Sequence, residues 1–161
     1  MATSDFTPFN CFPNDLAGGE HNLASDSIRV MLTETEPHAD DTHVDASGGV
    51  CVLRGESAAQ EIAPGDGYAK GGPAVTVSSS GQTEGNYKLV VATLLIPALG
   101  NPLGPLRYAV IYNSSKGTSE ARPAIGWLDY GEPITLDIGE TLSLGFNQDD
   151  GFFTLTKVVE A

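Results

Sequence analysis

The sequence has few basic residues, with eight lysines and arginines against 21 aspartates and glutamates, which gives a formal net charge of −13. A nucleic-acid binder needs a basic patch that displaces counterions from phosphates, and the scattered basic residues here form none. The same shortage argues against an anionic membrane surface. We therefore predict neither nucleic acid nor membrane as a partner, and an acidic surface that discourages nonspecific contact with DNA.

Cysteines and long apolar runs are also scarce. Cys11 and Cys51 are the two cysteines, and their number and spacing fit neither a disulfide framework nor a zinc site. We expect both to be reduced and at least partly buried, while the sequence leaves their pairing open. No stretch approaches the roughly 20 apolar residues of a membrane span, and residues 1–10 lack the features of a signal peptide. We expect a soluble chain made in the cytoplasm.

Long helical periodicity is missing too, whereas glycine (19) and proline (10) are frequent. Apolar and polar residues alternate in about nine short segments, spaced as in antiparallel sandwiches and barrels. The prediction is an all-β chain that forms an antiparallel, jelly-roll-like β-sandwich of about 8–9 strands. The predicted strands are 27–33, 50–54, 74–80, 86–96 and 107–113, followed by AIGWLDY, PITLDI, TLSLGF and FFTLTKVV.

The chain divides by pattern into residues 1–26, an N-terminal arm with a short helix near 14–17, and residues 27–161, the β-sandwich domain. Phe6, Phe9 and Phe12 recur at every third position of the arm. Two interpretations are open: the rings pack on the protein's own core, or they anchor the arm on a neighbouring subunit. In the second case, a chain without residues 1–12 keeps a folded sandwich but loses binding.

The best candidate for metal binding or catalysis is a cluster of histidines and aspartates. Alternate residues of a strand share one face, and imidazole and carboxylate groups bind divalent ions. The segment is polar and aperiodic, however, and its spacing matches no metal motif, so we predict a solvated acidic loop and no metal or cofactor. An ordered cation and a catalytic metal are the alternatives. The cluster consists of His38, Asp40, Asp41, His43 and Asp45.

The C-terminal half carries acids and aromatic residues that a glycosidase or a sugar-binding site would use. Trp127 and Tyr130 can form a sugar platform, and two carboxylates can act as acid and base. Acids beside turns are solvated, a lone tryptophan of a sandwich is mostly core, and no nucleophile or phosphate-loop motif is present. We predict no catalytic residues and no enzyme, with a carbohydrate-binding module as an alternative. The acids are Asp129, Glu132, Asp137 and Glu140.

Two C-terminal segments, DIGET and NQDDGF, contain glycines placed as in tight hairpin turns. Gly139 and Gly151 suit such turns because glycine adopts a positive φ without strain. The stretch NQDDG (147–151) also has some likeness to a calcium loop, but it lacks the alternating acids and the distal glutamate. We therefore predict a hairpin turn there.

Five segments, taken in order, resemble a group of small virion proteins of tailed bacteriophages. They are HNLASDSIRVMLTETEP, GDGYAKGG, LRYAVIYN, IGWLDYGEPITLDIGETLSL and GFFTLT, and they span nearly the whole chain. The loops around Asp40 and Val50 are longer than is usual in that group. The resemblance implies a structural protein of the particle and transfers no catalytic residue. Small β proteins of this kind occur as capsid decoration (cement) proteins and as tail or fibre components.

The expectation that follows is a cement protein on the capsid exterior of the virion, made in the host cytoplasm, which binds and stabilises the shell of the major capsid protein. Binding only the assembled shell stabilises it by mass action, and closed symmetry favours a homotrimer at threefold positions. The expected contacts are Phe6, Phe9 and Phe12 of the arm, together with exposed loops. A tail or fibre component is the first alternative.

Overall fold

The computed structural model describes residues 6–146 and 152–156. Over these residues the chain is nearly all β, with antiparallel sheets and one short helix, which confirms the predicted all-β, sandwich-like class. Within the same residues, no helix has the length and apolar character needed to cross a membrane. The turn predicted at 147–151 lies outside the described residues.

Eleven strands and one helix follow each other along the described chain. The first five elements are β1 (Thr7–Pro8), α1 (Phe12–Ala17), β2 (Ile28–Thr33), β3 (His43–Asp45) and β4 (Val52–Arg54). The others are β5 (Val77–Thr83), β6 (Asn86–Val91), β7 (Leu94–Pro97), β8 (Leu103–Asn113), β9 (Arg122–Leu136), β10 (Thr141–Leu144) and β11 (Phe153–Leu155).

Three antiparallel sheets organise these strands. The largest has six strands, with the order β2-β8-β9-β3-β4 and β1 paired to β9. Strands β7 and β10 form a two-stranded sheet, and β11, β6 and β5 form a three-stranded sheet in that order. Neighbours in a sheet are distant in sequence in several cases, so long-range pairing holds the fold together.

The core has two parts, one on each face of the large sheet. Val30 and Ile111 belong to the main cluster, which joins the large sheet to residues of β6, β7 and β10. Met31 and Val110, the next residues along the same strands, belong to a second cluster on the opposite face. This alternation is what a strand period of two requires. The large sheet therefore packs against the two smaller sheets and is also covered on its other side.

Several predictions differ from the structure in the extent or presence of a strand. The predicted strand 86–96 is two strands, β6 and β7, because its two halves pair in different sheets. Conversely, AIGWLDY and the first four residues of PITLDI belong to one 15-residue strand, β9, which continues through Gly131 at a φ of 106°. Strand β3 lies inside a segment expected to be a loop, and it is held between β4 and β9.

The N-terminal segment 6–26 lies on the large sheet. Thr7 pairs with Trp127, Pro8 pairs with Gly126, and the Phe9 N–H donates to the Ile125 carbonyl at 3.1 Å. The predicted short helix is confirmed as α1, which has a proline in its first turn, where the missing N–H has no helical partner in any case.

Candidate binding surfaces

Two of the three N-terminal phenylalanines are buried in the chain's own core. Phe9 is 1% exposed, and its ring packs on Trp127 with a centroid distance of 4.8 Å. Phe12 is 3% exposed and meets Phe153 edge to face at 5.5 Å. The first of the two interpretations is therefore the one that the structure shows for these rings. Because β1 is paired into the large sheet and Phe9 and Phe12 are buried, a deletion that includes residues 6–12 also removes part of the core.

Phe6 occupies a more open position than the other two rings. It is half-buried and packs on Phe152 with a centroid distance of 5.0 Å. Its ring lies over Gly126 so closely that a β-carbon added there would be 2.3 Å from the ring edge. The absence of a side chain at Gly126 thus allows β1 and Phe6 to reach the sheet.

Asp41, one of the candidate metal ligands, is a buried acceptor of hydrogen bonds. Its carboxylate accepts the N–H groups of His38 at 2.8 Å, Glu56 at 2.7 Å and Ser57 at 2.8 Å, and the Ser57 hydroxyl at 2.5 Å. Burial alone would raise the pKa of Asp41, but these hydrogen bonds outweigh it and hold the pKa below its ordinary value. The carboxylate therefore connects the 38–41 turn to residues 56–57.

Of the other members of the predicted cluster, His38 and Asp40 contact each other, since the Asp40 N–H donates to His38 Nδ1 at 3.2 Å, and the contacts of His43 and Asp45 are with residues outside the cluster. Asp40 accepts from the Asn10 side chain at 2.8 Å, and Asp45 accepts from Ser47 and pairs with Arg54 at 3.2 Å. The His43 ring lies 2.9 Å from the Thr42 hydroxyl. Among residues 6–146 and 152–156, no group of three or more histidines, cysteines, aspartates or glutamates is arranged to hold a metal ion.

Four of the residues considered for sugar binding or acid-base chemistry have local partners, and Tyr130 is exposed. Asp129 forms a two-point ion pair with Arg107, at 2.8 Å and 2.9 Å, and the hydrogen bond from Arg107 lowers the pKa of Asp129. Trp127 is half-buried against Phe9. At the turn before β10, the Asp137 N–H donates to the Glu140 carboxylate at 2.8 Å.

Both cysteines are free, as expected from the sequence, with Cys51 buried and Cys11 half-buried. Burial, followed by the nearby Asp15 carboxylate, raises the pKa of Cys11 to about 11. Burial likewise raises the pKa of Cys51 to about 12. Both thiols therefore stay protonated and unreactive at neutral pH.

A buried polar network around Glu61 was not predicted from the sequence. Glu61 is 4% exposed and accepts the Cys51 N–H at 2.9 Å, the Gly71 N–H at 2.7 Å and the Tyr68 hydroxyl at 2.7 Å. The Tyr68 hydroxyl in turn accepts the Leu32 N–H at 2.9 Å. Burial, followed by the Glu61 charge, raises the pKa of Tyr68. The network fixes a glycine-rich segment to β2. It could not be predicted because nothing in the sequence indicates that a single glutamate among turn residues is buried.

Three large apolar side chains are exposed on the two-stranded sheet and on the turn segments that continue it, and we call them the leucine patch. Leu95 is 62% exposed, Leu99 58% and Ile138 59%. The Gly139 N–H donates to the Ala98 carbonyl at 2.8 Å, which brings Ile138 and Leu99 to the same end of the sheet. The sequence does show the run LLIPALG, but an apolar run alone does not tell which of its sides is covered.

Acidic residues border the leucine patch. The Leu99 N–H donates to the backbone carbonyl of Asp66 at 3.1 Å, and the Ala98 N–H donates to that of Glu140 at 2.9 Å. Asp137 precedes Ile138 directly in the chain. The patch therefore has an apolar centre and a negative margin, a combination that complements a partner surface with apolar and basic residues.

A second apolar surface is a groove of about 750 Å³ between the N-terminal segment and β11, which we call the N-terminal groove. The predicted interface residues Phe6 and Phe12 both line it, while Phe9 lies in the core on the other side of the large sheet. Leu16 and Leu155 contribute further apolar surface.

Comparisons with protein-family models, with curated proteins and with solved structures found no match to this chain.

Proposed function

We propose that this chain is a non-enzymatic structural protein of a tailed-phage particle that decorates the capsid exterior and stabilises the shell of the major capsid protein. The leucine patch is the observation that carries the proposal, and the ordered sequence resemblance gives the kind of particle. In this proposal the shell imposes a trimer of the protein at its threefold positions.

The leucine patch supports a role in protein binding. Its three side chains are each more than half exposed, Leu99 and Ile138 lie at the same end of the sheet, and exposed apolar surface of this kind is typical of sites that bind another protein. The acidic margin and the net charge of −13 oppose contact between two copies at this patch and favour a partner of opposite charge. The major capsid protein is the partner that we propose.

The internal use of the carboxylates supports a structural role as well. Asp41, Glu61 and Asp129 are each held by donors of the same chain. Such groups stabilise the fold as long as they keep these partners, and a rigid body is what a decoration protein needs. In this proposal the stabilising work is done by additional buried area on the shell.

The first experiment locates the chain in particles assembled from the genome that encodes it, by a reconstruction of the whole virion. The proposal expects many copies spread over the outer surface of the head. A few copies confined to the tail or its fibres would overturn decoration in favour of a tail or fibre component. Absence from the particle would overturn both.

The second experiment tests the leucine patch with shells assembled from the major capsid protein of the same genome. Leu99→Ser together with Ile138→Ser removes apolar contact, and we expect the Kd for shells to rise by roughly tenfold or more. Leu155→Ser is the matched control, because Leu155 is 54% exposed but lies on β11 beside the N-terminal groove. Loss of binding in the control alone would assign shell binding to the groove instead.

A further inference from the structure

Strand β5 is the outermost strand of the three-stranded sheet, and it is exposed along nearly its whole length. The order of that sheet is β11-β6-β5, so only one edge of β5 is paired. Within the part of the chain that the structure describes, no strand lies along its other edge. After half-buried Val77, every residue of β5 is exposed. An unpaired edge of this kind presents backbone N–H and C=O groups to any second strand.

The hairpin geometry shows which backbone groups point outward. Thr83 pairs with Asn86 across a two-residue turn, in which Glu84 and Gly85 have φ values of 53° and 85°. In such a turn the flanking pair is hydrogen-bonded, and hydrogen-bonded pairs then alternate along an antiparallel ladder. Gly81 is therefore bonded to β6, while Ser80 and Gln82 direct their N–H and C=O groups to the free edge.

From Ser80 to Thr83 the edge lacks the charges and prolines that usually prevent strand pairing, and the bulge of β5 lies outside this stretch, between Val77 and Ser79. Natural edge strands carry lysine, proline or inward-pointing charges, whereas β5 reads VSSSGQT and contains none of these. Its hydroxyl and amide side chains are small or uncharged, and a β-carbon at Gly81 would meet no atom within 4 Å. A second strand can therefore approach without steric or electrostatic opposition.

The charge distribution identifies the occupant of this edge. The hairpin from Val77 to Val91 contains one acid, Glu84, and one base, Lys88, so it is neutral in a chain with a net charge of −13. Two copies repel each other over most of their surfaces but not here. A basic partner would gain no electrostatic attraction from β5 either, whereas a second, equally neutral β5 would meet no electrostatic repulsion there.

We propose that β5 is a docking edge for a second copy of this chain. Two β5 strands pair antiparallel about a twofold axis, which is the self-complementary arrangement of an isologous dimer. The two three-stranded sheets then become one continuous six-stranded sheet. The pairing concerns the free chain and does not rest on the proposed function. A chain that stays single in solution can still decorate a capsid, so failure of the pairing test leaves the proposed function standing.

The test is sedimentation mass over a wide range of protein concentrations. We expect a change from one chain, 16.8 kDa, to two chains as the concentration rises. Ser80→Pro removes an outward N–H without removing a hydrogen bond to β6, and it should keep the single-chain mass throughout. Ser80→Ala is the matched control, because it loses only the hydroxyl that contacts Tyr87 at 2.9 Å, and it should pair like the unmodified chain.

Amide hydrogen exchange on the unmodified chain keeps the test decisive if Ser80→Pro does not fold. The amides of Ser80 and Gln82 should exchange fast in dilute solution and slowly in concentrated solution, while the amide of Gly81 is protected in both. A single-chain mass at every concentration, a mass of three chains, pairing by a folded Ser80→Pro variant, or unchanged exchange at Ser80 and Gln82 would each overturn the proposal.

Discussion

At the scale of single residues, Asp41 joins the 38–41 turn to residues 56–57 through one buried carboxylate. Asp41→Asn keeps the size of the side chain but replaces one acceptor oxygen with an NH₂ group, which faces donors from His38 and Ser57. We expect the free energy of unfolding at neutral pH to fall by about 1–3 kcal/mol, the usual effect of leaving buried polar groups unpaired. Urea unfolding measures the change. Asp40→Asn is the control, since that side chain is 61% exposed, and its effect should stay within about 0.5 kcal/mol.

The same substitution has a pH dependence with a definite sign. Because hydrogen bonds hold the pKa of Asp41 below its ordinary value, the folded chain binds this proton less readily than the unfolded chain. The resulting stability is fully present above the unfolded pKa, about 3.9, and is lost as the pH falls through the lower folded pKa. The difference between the unmodified chain and Asp41→Asn should therefore shrink below about pH 4. A constant difference would assign the loss to geometry alone.

At the scale of elements, the contact between the segment around Gly72 and β2 depends on a missing side chain. Gly72 has a φ of +71°, and a β-carbon there would lie 1.7 Å from the Val30 carbonyl oxygen. The adjacent Pro73 carbonyl accepts the Val30 N–H at 3.0 Å. The segment around Gly72 therefore cannot move away from β2 without losing that hydrogen bond.

Gly72→Ala should accordingly reduce the free energy of unfolding by roughly 2 kcal/mol or more, because neither the backbone angle nor the space admits a methyl group. Gly81→Ala is the matched control in β5, where a β-carbon meets nothing within 4 Å. We expect that control to gain up to about 1 kcal/mol, since alanine replaces a glycine inside a strand. Denaturation in dilute solution gives both values, and equal effects would contradict the prediction.

The N-terminal segment provides a second prediction at this scale. A chain without residues 1–12 loses Phe9 and Phe12, and removal of a buried phenylalanine ring typically reduces stability by about 3–5 kcal/mol. Because whole domains are stable by only about 5–15 kcal/mol, we expect the shortened chain to be largely unfolded or to melt at a far lower temperature. A chain that starts at Phe6 is the reference, since it keeps β1 and all three rings. Equal melting temperatures would show that the segment is a dispensable arm.

The strand pattern could be predicted from the sequence where alternation is long, and it failed where pairing decides the outcome. The alternation in 27–33 and 107–113 correctly predicted β2 and the second half of β8. In both strands, residues that point to opposite faces of the sheet are buried. The break after Val91 could not be predicted, since β6 and β7 carry similar apolar residues and differ only in their partners. Short β3 exists because β4 and β9 flank it, and its own three residues carry little pattern.

The candidate surfaces were harder to predict than the strands. Phe6, Phe9 and Phe12 share a period, but β1 is an extended segment that sends Phe9 to one core while Phe12 begins a helix facing the other. In LLIPALG, Leu95 and Leu99 are exposed while Ile96 and Ala98 are buried, and the sequence does not reveal which side the sheet covers. Which of these side chains are buried depends on tertiary contacts, so their burial could not be predicted from a single sequence.

At the scale of the whole molecule, the net charge of −13 acts against the compact state. Folding brings 21 acidic residues closer together with only eight basic residues to offset them, so their mutual repulsion lowers stability at low ionic strength. Salt screens this repulsion, since the screening length falls from about 30 Å at 0.01 M to about 10 Å at 0.1 M. We expect the midpoint of urea unfolding to rise as NaCl is added. KCl at equal ionic strength should give the same rise, whereas a difference between the two salts would indicate an ordered cation. A midpoint that falls with salt would show that ion pairs such as Arg107 with Asp129 outweigh the repulsion, because screening weakens attraction as well.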